Sequence, residues 1–157
     1  MMNGIIAGIG KALSDEFKDT YQIYMEQIPQ GFKEPCFFIQ GINAAEKQFL
    51  NRRYKFNQSF VVQYFPEEDK ISNENMYFIA ERMMRALEFI EQIGEEETNK
   101  LRGTNRSYRI IDGVLNLFVD YNFFAYLEIP EDSSLASNPV VSRSRAMYEF
   151  VISSSFQ

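Results

Sequence analysis

Few residues in this chain are of types that do chemistry, and their spacing argues against most of it. The run Gly8-Ile9-Gly10-Lys11-Ala12 has the outline of a phosphate-binding loop. Such a loop needs glycine at position 5 and a hydroxyl at position 12, where this chain has Ile5 and Ala12. The segment reads instead as part of a helix whose small residues let another backbone come close. Cys36 is the single cysteine. A thiol nucleophile needs a base, and the chain has no histidine to be one. The same absence removes histidine triads and histidine-ligated metals, and one cysteine cannot form an intrachain disulfide or a metal cluster. Cys36 therefore reads as a small buried hydrophobe. Carboxylates crowd at Glu67, Glu68 and Asp69 and again at Glu95, Glu96 and Glu97. No spacing among them isolates an acid/base pair or a calcium loop, so they read as solvated charge. The expectation is a protein that is not an enzyme and takes no cofactor and no metal.

The chain that must position these residues has 157 of them and a net charge of −6. That length suits one domain, which we place at residues 1–129, with residues 130–157 as a linker and mobile tail. Residues 66–97 hold ten acidic and three basic side chains, so most of the acid belongs to one helix and its flanks. A basic surface for duplex DNA is not expected. The early apolar run Ile5 to Ile9 is too short for a signal-peptide core or a membrane span. With a lone cysteine, this points to a protein made in a cytoplasm, away from membranes.

Residues 2–18 read as an amphipathic helix, with Met2, Ile5, Ile6, Ile9, Leu13 and Phe17 on one face. Residues 21–28 and 36–42 read as strands. Residues 43–53 have no clean period and read as a long hairpin arm or a loop. Residues 54–65 alternate, with Phe56, Gln58, Phe60, Val62 and Tyr64 on one side and Lys55, Asn57, Ser59 and Gln63 on the other. Ser72 or Asn73 opens a second helix, predicted to run to about Ile93 and stop at Gly94, with Met76, Ile79, Ala80, Met83, Leu87 and Ile90 inside. The last structured part runs from about Thr98 to Glu128. In it Asp112-Gly113 joins a strand at 107–111 to one at 114–129, since both central residues of a type I′ turn need positive φ. The order is α-β-β-β-α-β-β-β. It predicts an α+β fold: a largely antiparallel, mixed sheet with two helices packed on one face.

Two surface features stand out. Lys100, Arg102, Arg106 and Arg109 make a basic cluster beside Tyr108. A basic strand and an acidic helix on one chain suit docking between copies in a ring. The last strand has aromatic residues on both faces: Phe118, Phe124 and Tyr126 share the second face with Asn116, Asp120 and Asn122. That mixed face needs a cover, and a partner protein would supply one. The candidate interface is therefore Arg102, Arg106, Arg109, Asn116, Phe118, Asp120, Asn122 and Phe124. A small-ligand or regulatory module using the aromatic face as a pocket is the alternative from a different class.

Four segments together resemble a known family. The opening helix, EPCFFIQ (34–40), FVVQYFP (60–66) and RGTNRSYRIIDGVLNLFVDYNFF (102–124) are similar to tail terminator proteins of phages and prophages of Gram-positive bacteria. The likeness spans about residues 3–128. It implies a structural virion protein that caps the growing tail tube as a ring, typically a hexamer. The cap would end tube polymerisation and form the surface that joins the head. The implied partners are further copies of the chain, the tube protein and a head completion or connector protein. DNA would pass through without specific binding, past an acidic lining that does not hold it. The implied location is the virion tail, after assembly in the bacterial cytoplasm. A head–tail connector or tail completion protein is the neighbouring alternative.

Overall fold

The computed structural model describes residues 1–18, 20–94 and 99–126. The expectations for Glu95, Glu96 and Glu97 and for the tail 130–157 lie outside these residues. The elements are α1 (Met2–Phe17), β1 (Gln22–Met25), β2 (Cys36–Leu50), β3 (Arg53–Phe65), a short 3-10 turn (Glu68–Lys70), α2 (Asn73–Ala86), β4 (Phe89–Gln92), β5 (Asn99–Ile111) and β6 (Val114–Tyr126). The strands form one six-stranded sheet in the order β1-β2-β3-β6-β5-β4. Only β1 and β2 run parallel, so the fold is α+β with a mixed, mostly antiparallel sheet, as the order of elements predicts.

Both helices bury their apolar stripes in one shared core. α1 brings Ile5, Ile9 and Leu13, α2 brings Met76, Ile79 and Met83, and the sheet brings Phe37, Phe60, Tyr64, Leu117 and Tyr121. Arg82 fastens the two helices together. Its guanidinium donates to the Glu16 carboxylate and to the Glu16 carbonyl, each at 2.9 Å, and lies 4.3 Å from the Phe17 ring. α1 ends where Lys18 turns left-handed at φ 54°.

The second helix is shorter than its pattern predicts. Ser72 caps it by accepting from the Asn75 N–H, as expected, but it ends at Ala86 rather than near Ile93. Leu87 and Ile90 are buried all the same, now in the turn after the helix and in β4. Tertiary partners decide the difference. The Tyr121 hydroxyl donates to the Leu87 carbonyl at 2.8 Å, and the Gly103 N–H donates to the Glu88 carbonyl at 2.7 Å. These bonds tie the end of the helix to the sheet, and Phe89 to Gln92 continue as an edge strand.

That edge strand explains two of the three glycines of α1, Gly4 and Gly8. A Cβ on Gly4 would stand 2.6 Å from the Ile93 carbonyl oxygen, and one on Gly8 only 2.1 Å from that of Glu91. The Ile93 N–H donates to the Gly4 carbonyl at 3.0 Å. The expectation that small residues here admit another backbone is met, and β4 is that backbone.

Two strands are longer than their patterns predict, while β1, expected over 21–28, is only Gln22–Met25. β2 continues through residues 43–50 as a hairpin arm, and β5 begins at Asn99 rather than at residue 107. β6 is described to Tyr126.

Candidate assembly surface

The helices cover one face of the sheet, and among the described residues neither helix covers the other. Register fixes which side chains share the open face. Lys55, Asn57, Ser59, Val61 and Gln63 of β3 stand opposite Phe124, Asn122, Asp120, Phe118 and Asn116 of β6. Arg109 of β5 stands opposite Asn116, and Ser107 opposite Phe118. The structure thus brings together six of the eight predicted interface residues: Arg109, Asn116, Phe118, Asp120, Asn122 and Phe124.

Polar groups on this face are partly tied to one another. Asn116 accepts from the Gln63 side chain at 2.8 Å and donates to the Val114 carbonyl at 3.2 Å. Asp120 accepts from Asn105 at 2.9 Å. The Asn122 side-chain oxygen is buried without a hydrogen-bond partner among the described residues. Phe124 is covered from the hairpin tip, where the Arg53 guanidinium lies 4.4 Å from its ring and the Phe49 ring 5.4 Å away. The face is therefore a ladder of amides with aromatic residues set between them, which is the mixture of an interface that stays wet in part.

The basic cluster is split. A bulge in β5 between Thr104 and Ser107, with Asn105 at φ 50°, breaks the alternation of side chains. Arg106 turns to the helix side, where it donates to the Met84 carbonyl and lies 3.8 Å from Glu88. Arg102 reaches the same carboxylate at 3.7 Å. Part of the acidic stretch thus neutralises the basic strand within one chain. Arg109 is exposed and has no ion pair among the described residues.

The feature that pattern reading left undecided is the arm. β1 pairs with β2 only from Cys36 to Ile39, while β2 runs on to Leu50. Beyond Gly41 the outer edge of β2 has no strand beside it among the described residues. Ile42, Phe49 and Leu50 are 54%, 62% and 65% exposed. The arm closes in a two-residue turn with Asn51 at φ 52°, held by the Gln48 side chain donating to the Asn51 carbonyl at 2.7 Å. Asn51 was the available signal, since asparagine tolerates that conformation. The missing signal was periodicity, because both faces of the arm's outer strand meet solvent.

Burial pushes the Cys36 thiol up to about 11, with help from the Glu34 charge, so it stays protonated and inert. No group of three or more metal-ligating side chains occurs among the described residues. The cleft between α1 and β4 holds one aromatic, Phe89, and its Lys11 is paired with Asp15 and Glu91. It is not the aromatic cavity that a ligand-binding module would need. No described helix is long and apolar enough to cross a membrane.

No curated protein matches the chain. A family model described as phage tail terminator protein matches residues 4–133, from the first turn of α1 past the end of β6. The family is structural and generally not enzymatic, and its members are components of the phage tail that contact other tail parts. The match takes in most of the chain, which therefore belongs to the phage tail terminator family.

Proposed function

We propose that the protein caps the growing tail tube as a ring, ends tube polymerisation and presents the surface that the head joins. The observation that carries this reading is the division of the sheet. Among the described residues, one face is sealed by two helices, while no element covers the other face or the outer edge of β2 beyond Gly41. A tube end is a ring of repeated subunit edges. A capping subunit must bind those edges and offer a different surface on its far side. The open face, with Arg109, Asn116, Phe118, Asp120, Asn122 and Phe124, and the exposed arm supply one such contact. Arg102 and Arg106 are committed to Glu88, so they contribute less to contacts between copies than an unpaired strand would. A hexamer is the stoichiometry we propose. Residues 1–129 would act as one assembly unit, and the host cytoplasm would be the place of assembly. Passage of DNA through the ring needs no specific binding.

The test is electron microscopy of particles made with the gene deleted from its phage or prophage. Overlong, headless tubes are the expected result. Tails of normal length that fail to join heads would move the role to tail completion. Normal virions would overturn the proposal.

A further inference from the structure

We infer that the outer edge of the β2 arm pairs with the outer edge of β5 from a second copy of the chain, so that one sheet runs on into the next. The inference rests on the ring proposed above and names the joint between its copies. β1 covers β2 only from Cys36 to Ile39, and β4 covers β5 only from Asn99 to Arg102. Among the described residues no strand lies beside residues 43–50 of β2 or residues 104–111 of β5. Both bare edges are templates for strand addition. They are different surfaces of one chain, so their contact is head-to-tail, the kind that closes into rings.

What the two edges carry selects the second copy as the occupant. Glu46 stands opposite Phe56, a core residue, so it lies on the helix side of the sheet. It is exposed and has no ion pair among the described residues. Arg106 lies on the same side of β5. It shares the single carboxylate of Glu88 with Arg102, at 3.8 and 3.7 Å, which leaves one positive charge over. Antiparallel pairing with Glu46 opposite Arg106 supplies the missing anion. The same register sets Tyr108, which is 37% exposed, opposite Ala44. Ala44 is small and pairs with Gln58, whose buried side-chain oxygen has no hydrogen-bond partner among the described residues. Ala44 and Gln58 line a groove of about 470 Å³ with Met2, Asn3 and Phe56. A tyrosine lying across Ala44 fills that groove and brings a hydroxyl donor to the unpaired oxygen. The register also suits closure. Within one chain Ala44 is level with Tyr121 of β6 and Tyr108 is level with Leu117. Joining the two thus shifts each copy four residues, about 13 Å, along the strands for every four strand spacings, about 19 Å, across them. The resulting strand tilt is about 35°, a tilt at which sheets close on themselves.

The experiment uses the full chain. One form carries a benzoylphenylalanine photocrosslinker in place of Tyr108, and a second form carries an affinity tag. Irradiation of the mixture should join residue 108 of the first form to residues 43–46 or Gln58 of the tagged form, mapped by mass spectrometry. Within one chain residues 108 and 44 stand about 20 Å apart, so a crosslink to the arm comes from another copy. Crosslinks from residue 108 to any other segment of the second copy, or none, would overturn the joint. Glu46→Lys in the tagged form should raise the concentration for half-maximal crosslinking about two- to fivefold. An unchanged concentration would overturn the Glu46–Arg106 register. Crosslinking reads the joint and tail length reads capping. Overlong tubes without the gene but no crosslink to the arm would leave capping standing and remove the joint. Normal tails without the gene together with the crosslink would do the reverse.

Discussion

The contact between α1 and β4 and the arm of β2 and β3 are built from opposite materials. In the first, glycines remove side chains so that two backbones touch, and every neighbour is fixed. In the second, large apolar side chains stand in solvent along a stretch of strand that has no neighbour on its outer edge among the described residues. Phe49 and Leu50, at more than 60% exposure, give the fold little beyond the Phe49 contacts with Phe124 and Arg53. The difference separates what holds the chain together from what the chain offers to others.

Changes at the closed contact should be costly to stability and those at the arm nearly free. Gly8→Ala is the largest. Its methyl would meet the Glu91 carbonyl at 2.1 Å, and backbone cannot step aside cheaply. A loss of about 3 kcal/mol or more in urea unfolding is expected. A loss below about 1 kcal/mol would show that β4 does not sit on α1. Tyr121→Phe comes next. It leaves the Leu87 carbonyl without its donor in a buried site, at a cost of about 1–3 kcal/mol.

Alkaline pH should act through the same core. Burial raises the folded-state values of Cys36, to about 11, and of Tyr64 and Tyr121. Each group releases its proton more readily when unfolded. Their contribution is therefore complete below about pH 9 and lost as pH climbs through the folded values. Urea midpoints measured from pH 8 to 11 should fall steadily, and Cys36→Ala should flatten the first part of the fall. The smallest effect on stability belongs to the arm. Phe49→Ser with Leu50→Ser should shift unfolding by about 1 kcal/mol or less, since Phe49 gives up an edge contact with Phe124 and an exposed cation contact with Arg53. Assembly, followed by light scattering, should be lost in the same variant. A stable variant that still assembles would place the interface elsewhere.

Much of the closed region was legible in the sequence. The α1 stripe, the Asp112-Gly113 turn and the alternation from Phe56 to Tyr64 each follow from one local period. The end of α2 was not legible, because Leu87 and Ile90 satisfy a helical stripe and a buried strand equally. Only the bonds from Tyr121 and Gly103, distant in sequence, decide between them. Five of the eight candidate interface residues fell together because β6 keeps strict alternation, and Arg109 joined them from β5 by its register opposite Asn116. Arg106 fell away because one bulge at Asn105 reversed its side. The arm escaped a firm reading for a physical reason: a strand exposed on both faces has no hydrophobic period to betray it.

The most direct measurement is the tail-length distribution, by electron microscopy, of particles supplied with the Phe49→Ser, Leu50→Ser variant as their only copy of this protein. An assembly surface on the arm predicts overlong, headless tubes although the variant is folded. Tails of normal length joined to heads would contradict it.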